Sequence, residues 1–556
     1  MKKRVIATIL AASVIAPAAV SLTGCKKKVA DDENTLQIFV SDFGYGTDWV
    51  NDMIAAFKEQ DWVKEKYPQL NIPKPDKNSE RTFPADRMMT DGNTNTYDLL
   101  FACDSAVANY DKTDGNGNPY FEDLTELYQT QIPGESVTFA EKLDGNIRAN
   151  MQYTGRDNSK KYYSVQWVNG YMGLLYNQTY VTQYLGADYE LPRTTIELEA
   201  MAKEIKGENI KNVAPFISST KAGYWNQVCY TWWVQYEGTA RYEDYWLGVD
   251  KYDQITNENF SQTGRLRSLE TLESLIGKEK GYNHEEVNTL EFTSAQSKYL
   301  LGEAFMMPNG DWFENEMRSN YAEDKNHYDI RFMQMPVISS IVENMEFYKD
   351  TYKKPYSELT AAEKQSCDDI LSKIVAAVDA EKTYETAKES VPDLTEKDYA
   401  KITEARHVVY SVEGHEGYIP AYATGKAIAK DFLLFMATDK GIETFMKATN
   451  GASTAFRYDV ETKSPDLYNG FSNLQKSRAS IAKNGVVPFC VTSSSLVYWG
   501  GLTYYSISNA LEPFFTAQND SDRKTAKQIF DNDVNYYTKN DGEYWKELLS
   551  RAGIQN

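Results

Sequence analysis

Apolar positions along this chain alternate between short strand-like runs and stripes at helical spacing. Residues 36–40 (LQIFV) form an apolar run of strand length, which Gly44, Tyr45, Gly46 and Thr47 interrupt. Trp49, Val50, Met53, Ile54 and Phe57 then recur on one helical face, with Thr47 placed to cap the helix. Strand, glycine-rich turn and helix together open an α/β unit. Residues 97–102 (YDLLFA) predict a second buried strand, ending at Asp104 and Ser105, and residues 163–176 predict more strand around Asn169 and Gly170. After Pro192, Thr194 and Glu197 have the spacing of a capping box and start a helix. Residues 213–218 predict another strand, and a stretch dense in Trp and Tyr follows from 224 to 246.

Residues 292–305 read as a helix leading into Met306-Met307-Pro308-Asn309-Gly310-Asp311-Trp312, and 331–337 as a strand. Residues 341–406 change texture: they are acidic, polar and helical. Thr360/Glu363 and Thr395/Asp398 give capping signals, and Ile370, Leu371, Ile374, Val375 and Val378 form an apolar stripe. This segment reads as an inserted helical subdomain. The α/β pattern resumes at 407–412, and a helix over 425–438 turns Phe432, Leu433, Phe435 and Met436 to a core. Asn450-Gly451 ends the next helix as a C-cap.

The N-terminus has a pattern of its own. Lys2, Lys3 and Arg4 precede an Ala-rich apolar run over 5–22, broken at Pro17, which ends in Leu22-Thr23-Gly24-Cys25. Charged start, apolar middle and small-residue end are the parts of a secretory signal. The ending resembles the bacterial lipobox, which implies diacylglycerol on the Cys25 thiol and cleavage that leaves Cys25 first. The other reading is an uncleaved membrane helix. The run is near the minimum spanning length, but a helix has no need of Gly-Cys at its end. Residues 25–34 then form a polar tether, where Lys26, Lys27 and Lys28 can meet anionic headgroups.

At 556 residues the chain exceeds one ordinary core, so two or three lobes are expected. The formal charge of −21, near −24 once the three cations of the signal are gone, argues against nucleic acid and against a broad anionic membrane surface as partners. Apart from Cys25, the cysteines are Cys103, Cys229, Cys367 and Cys490; no CxxC pair exists, and they are expected to be buried apolar residues. No second segment is long and apolar enough to cross a bilayer.

The order of elements resembles the extracellular solute-binding proteins of ABC importers, in particular their family 1 carbohydrate-binding group, which includes the maltose-binding proteins. The matching pieces are LQIFV with its turn and helix, YDLLFACD, YFEDLTELY (120–128), GLLYNQTYV (173–181), PRTTIELEAMAKEIK (192–206), LGEAFMMPNGDW (301–312), FMQMPVIS (332–339) and KAIAKDFLLFMATDKGIETF (426–445). The acidic helical insertion and the aromatic stretch after Tyr224 depart from the family pattern. The resemblance implies an α/β chain with a two-lobe, type II periplasmic-binding-protein-like fold, hinge strands and an inserted helical subdomain. The first lobe would take 35–165 and about 415–455, the second 166–340 and about 456–556, with 341–406 inserted in the second. Hinge crossings are expected near 163–173 and 413–422.

By the same resemblance the chain is a monomeric binding protein without cofactor. It would capture a carbohydrate, in particular an oligosaccharide, between its lobes and deliver it to a permease, tethered outside the cytoplasmic membrane through its lipid. A sugar offers hydroxyl edges and weakly apolar faces, so a site needs aromatic plates beside carboxylates and amides. Trp312 matches the family position that stacks on sugar, with Asp311 reaching a hydroxyl; the alternative is a Trp that anchors the turn. Asp104 and Ser105 follow a strand end, where α/β ligands bind, or else they cap a helix. Asp42, with Phe43 and Tyr45, ends the first strand in the same way, or serves turn chemistry. Tyr224 and Trp225 match a contact of the second lobe, and Trp499 a late aromatic. Trp167 and Asn169 sit at the hinge, where they touch ligand or pack the hinge. Trp232 and Trp233 read as core, because neighbours on a helix cannot both face one cleft.

Residues 111–123 loosely resemble an EF-hand loop, but Lys112 falls where the first acid belongs. Asp111, Asp114, Asn116 and Asp123 either hold calcium weakly or form a polar turn. The rival functions are a secreted glycan hydrolase and a partner-binding surface lipoprotein. A glycosidase needs two carboxylates across a cleft, and no pair stands out among 80 acidic residues. His284, His327, His407 and His415 fall in no HExxH, Gly425-Lys426-Ala427 is no P-loop, and Ser493-Ser494-Ser495 lacks the glycine frame of a nucleophile elbow. An enzyme is therefore not expected.

Overall fold

The apolar run near the N-terminus becomes β1, Ile38–Ser41, buried along its whole length. The computed structural model describes residues 31–42, 44–78, 96–102, 110, 112–114, 116–154, 159–248, 256–323, 328–412, 415–488, 511–539, 542, 543, 545, 546 and 549. β1 lies between β2 (Asp76–Asn78) and β3 (Leu99–Ala102), parallel to both. The helix Trp49–Lys58 buries Trp49, Val50, Met53, Ile54 and Phe57, the stripe read from the sequence. Its N-cap is Asp48, with no side-chain cap bond, so Thr47 does not cap it.

A short ribbon, β4 (Tyr153–Thr154) with β5 (Lys160–Lys161), precedes β6 (Ser164–Gln166). The first sheet runs β2-β1-β3-β12-β6, where β12 is Glu416–Tyr418 and antiparallel to both neighbours.

The second sheet is built around β7 (Gly170–Asn177), buried throughout. β8 (Ala214–Phe216) pairs in parallel with β9 (Ala304–Gly310), and β9 pairs antiparallel with β7. β10 (Ile330–Met333) and β11 (Tyr410–Val412) pair with successive parts of β7. The strand β9 corrects the reading of 292–305 as one helix: the helix is Phe292–Leu300, and residues 304–310 belong to the sheet. Pro308 had disguised it. The Met306 carbonyl accepts from Ile217 N–H on the β8 side. Pro308, two residues on, faces that same side after β8 has ended, so its missing donor is not needed there.

Among the described residues, three segments join the two sheets. Residues 167–169 lead from β6 to β7, and His415 stands between β11 and β12. The third crossing runs over 452–456. It follows the helix Asp439–Ala448, where Asn450 and Gly451 take positive φ and supply the expected C-cap. Val168 bridges to Thr454, and Trp167 N–H donates to the His415 carbonyl at 3.2 Å.

The segment read as an insertion is helical: Ala361–Asp379, Tyr384–Ser390 and Glu396–His407. Thr360 and Glu363 form a full capping box, and the Thr395 hydroxyl accepts from Asp398 N–H. Leu371, Ile374, Val375 and Val378 share one core with Leu174, Phe216 and Trp232, so these helices are part of the packing around the second sheet.

Candidate functional site

The ends of β1 and β9 face each other across the junction of the sheets. After β1, Gly44 and Gly46 take positive φ, and the chain bends so that Tyr45 points toward the second sheet. After β9, Asp311 and Trp312 turn toward Tyr45. A Cβ at residue 310 would lie 2.3 Å from the indole, so glycine there is what lets Trp312 fold over the end of β9.

Asp311 is the polar centre. Its Oδ1 accepts from the Tyr45 hydroxyl at 2.5 Å; its Oδ2 accepts from Ser453 N–H at 3.0 Å and from the Ser453 hydroxyl at 2.8 Å. Burial raises the Asp311 pKa, opposed by the charge of Arg478 and by the Ser453 and Tyr45 bonds. Burial and the neighbouring Asp311 charge push the Tyr45 phenol well above its ordinary value. One carboxylate thus ties the first strand's loop to the third crossing.

Trp312 stands between two tyrosines, with ring centroids 6.3 Å from Tyr45 and 6.1 Å from Tyr224. In this conformation it is 7% exposed and Tyr45 3%, so the aromatic surfaces largely cover one another. The Asn315 amide donates to the Gly44 carbonyl at 3.0 Å, a second link between the two turns. Beside it lies a cavity of about 240 Å3, lined by Asp42, Tyr45, Thr47, Asp48, Asn315 and Arg318 among others. Asp42 is exposed there.

The remaining expected site residues separate. Trp167 is 3% exposed and stacks on Trp49 at 4.4 Å, which is hinge packing. The Asn169 carbonyl is a second acceptor beside the Ser453 hydroxyl, whose one hydrogen it shares with Asp311 Oδ2. Trp225 is fully buried against Phe216 inside the second-sheet core, so it has no face to offer in this conformation. Trp232 and Trp233 are buried, as the helix argument required. Phe43, Asp104, Ser105 and Trp499 lie outside the described residues, as do Cys25 with its signal, Cys103 and Cys490; Cys229 and Cys367 are buried free thiols.

Of the calcium candidates, Asp114 accepts from Asn116 N–H, Asn118 N–H and the Asn118 amide, and Asp123 from Thr125 N–H and hydroxyl. Both carboxylates serve local turns. Asp111 is outside the described residues, and no cluster of three potential metal ligands occurs among those described. Ser453, Asn315 and Gln475, whose amide donates to the Asp311 carbonyl, were missed. For Ser453 a signal existed: the small residues of Gly451-Ala452-Ser453-Thr454 after a capped helix.

Solved structures share this fold over most of the chain. The chain has the fold of the extracellular solute-binding proteins. The apo form of RafE from Streptococcus pneumoniae matches with a TM-score of 0.53 at 12% identity, over 92% of this chain and 98% of RafE. A probable secreted solute-binding lipoprotein from Streptomyces coelicolor gives 0.53 at 14%, over 91% and 99%. Maltose-bound T. maritima MalE3 gives 0.51 at 14%, over 90% and 98%. No family model and no curated protein matches the chain.

Proposed function

We propose that this protein is a carbohydrate-binding component of an ABC importer. It captures sugar where the β1 and β9 turns meet and presents it to the permease. The observation that carries this reading is the placement of Tyr45, Trp312 and Tyr224 around Asp311, with Asp42 at the adjoining cavity. Aromatic faces beside buried and exposed carboxylates suit a ring with C–H faces and hydroxyl edges. The maltose in MalE3, a protein of the same fold, supports the ligand class. The three crossings act as a hinge: parting of the lobes uncovers Trp312, and closure seals the ligand.

The reading extends to position and state. The protein works as a monomer outside the cytoplasmic membrane, held by lipid on Cys25 after its signal is removed; the lipoprotein of the same fold supports this. The reading assigns capture and release, with no bond broken. A thermal-shift screen of the purified protein against maltose, galactose, raffinose and longer oligosaccharides tests it. A raised melting temperature with at least one glycan, recovered chemically unchanged, is the expected result. Glycan cleavage would turn the assignment to a hydrolase, and a flat response across all of them would reject sugar capture.

A further inference from the structure

The helix Asn473–Ala482 lies against the turn that carries Trp312. Ser472, its N-cap, Gln475 and Arg478 follow one another at intervals that place them along one side of the helix. The helix is fixed to the second sheet, where the Ser477 hydroxyl accepts from Phe332 N–H at 2.9 Å.

Gln475 is 1% exposed, and both ends of its amide are engaged. Nε2 donates to the Asp311 carbonyl at 3.2 Å and to Glu314 Oε2 at 3.3 Å, while Oε1 accepts from Arg478 Nε at 3.2 Å. The reverse orientation of the amide would set Oε1 against a carbonyl and a carboxylate, so these partners fix it. The Ser472 hydroxyl donates to the same Glu314 oxygen at 2.8 Å. One side of the helix therefore holds the turn at Asp311 and at Glu314, with Trp312 between the two points.

Arg478 carries the network on to the hinge. Its Nη2 donates at 2.9 Å to the carbonyl of Gly451, immediately ahead of the third crossing. A Cβ on Gly451 would lie 3.2 Å from Gln475 Cγ, so glycine there permits the close approach. The opposite charges of the buried Arg478 and Asp311 favour one another. The turn is thus gripped twice: its carboxylate by Tyr45 and Ser453, and its backbone by Gln475. A buried amide is costly unless it is hydrogen-bonded, and filling the same space needs only an apolar side chain. We propose that Gln475 is a positioning residue for sugar capture, whose side chain ties the Trp312 turn to the third crossing and so sets where the indole stands. This rests on the reading of Trp312 as a sugar contact.

Gln475→Met keeps the volume and removes these bonds. In protein labelled with fluorotryptophan, the fluorine NMR signal of Trp312, assigned by its loss in Trp312→Phe, should shift or broaden in Gln475→Met. The signals of Trp225 and Trp232, in the second-sheet core, should hold. The glycan that raises the melting temperature should bind Gln475→Met about fivefold more weakly, the equivalent of one hydrogen bond. In a Trp312→Ala background the same substitution should cost less than about twofold, because Gln475 acts through the indole; a purely structural loss would be equal in both backgrounds. Where Gln475→Met does not fold, Ser472→Gly, which keeps a tolerated cap residue and takes the hydroxyl from Glu314, replaces it in each comparison. An unmoved Trp312 signal overturns the proposal. So does a glycan affinity that Gln475→Met leaves unchanged, or whose loss Trp312→Ala leaves undiminished. If the unsubstituted protein binds no glycan, the sugar reading falls, and the fluorine spectra still decide whether Gln475 positions Trp312.

Discussion

The Tyr45 phenol donates to Asp311 Oδ1 at 2.5 Å, joining a loop of the first sheet to the end of a strand in the second. The two residues are 266 positions apart in sequence, and the contact links the turns that flank the candidate sugar site.

Removing the hydroxyl should be felt as lost stability. In Tyr45→Phe the ring keeps its contacts with Trp167, Trp312 and His415. Oδ1 of a carboxylate that is 1% exposed loses its donor, and Ser453 serves only Oδ2. A buried charged acceptor left unpaired costs about 1–3 kcal/mol. Urea unfolding at neutral pH should show that loss; an unchanged midpoint would mean that the bond contributes nothing to the fold.

Glu512 predicts a pH dependence. It is fully buried; its Oε1 accepts from Trp225 N–H at 3.2 Å, and its Oε2 has no hydrogen-bond partner among the described residues. Burial pushes its carboxyl from 4.5 up to about 7. The folded state therefore holds the proton more tightly than the unfolded one. Its stabilising contribution is fully present below about 4.5 and is lost as pH rises through about 7. Glu512→Gln should be the more stable protein at pH ~8, by on the order of 2–3 kcal/mol, with that advantage gone near pH ~4.5. Equal differences at the two pH values would contradict the assignment.

The elements that the sequence disclosed were those whose signals are local. The stripe from Trp49 to Phe57 and the capping boxes at Thr194 and Thr360 need only a few neighbouring residues, and each formed as read. The strand β9 was obscured because Pro308 reads as a breaker until the end of β8 is known. The candidate site divides in the same way. Trp312 and Asp311 were legible from a turn motif, but the partners of Asp311 come from Tyr45 and Ser453, which only the fold brings together. Trp225 shows the converse: adjacent to Tyr224 in sequence, it points into the core because successive helical residues face apart.

A buried ion pair should dominate the stability of the C-terminal packing. Arg265 and Asp533 are each 1% exposed and 3.4 Å apart, and the Arg265 guanidinium lies 5.3 Å from the Trp233 ring centroid. Asp533→Ala leaves the Arg265 charge buried beside an aromatic cluster. The cost should be about 3–5 kcal/mol, read by urea unfolding, because a buried guanidinium loses its ion-pair carboxylate. A change below about 1 kcal/mol would show that water or another group replaces the carboxylate.

Two tryptophans with similar sequence credentials should separate in function. Trp312 and Trp225 are both expected from the sequence to contact ligand. Trp312 lies between Tyr45 and Tyr224 at the meeting of the two turns, whereas Trp225 packs on Phe216 with centroids 5.4 Å apart and is fully buried. Trp312→Ala removes the plate on which a sugar face would rest. It should weaken whichever glycan raises the melting temperature by about 2 kcal/mol, roughly thirtyfold in Kd. Trp225→Phe keeps most of the apolar volume, so it should lower stability by about 1–2 kcal/mol and leave glycan affinity within about twofold. Titration of both variants with the same glycan decides between site and core. If Trp225→Phe weakens binding as much as Trp312→Ala, the sugar must contact the second-sheet core in a conformation more open than this one, and the separation drawn from burial is wrong.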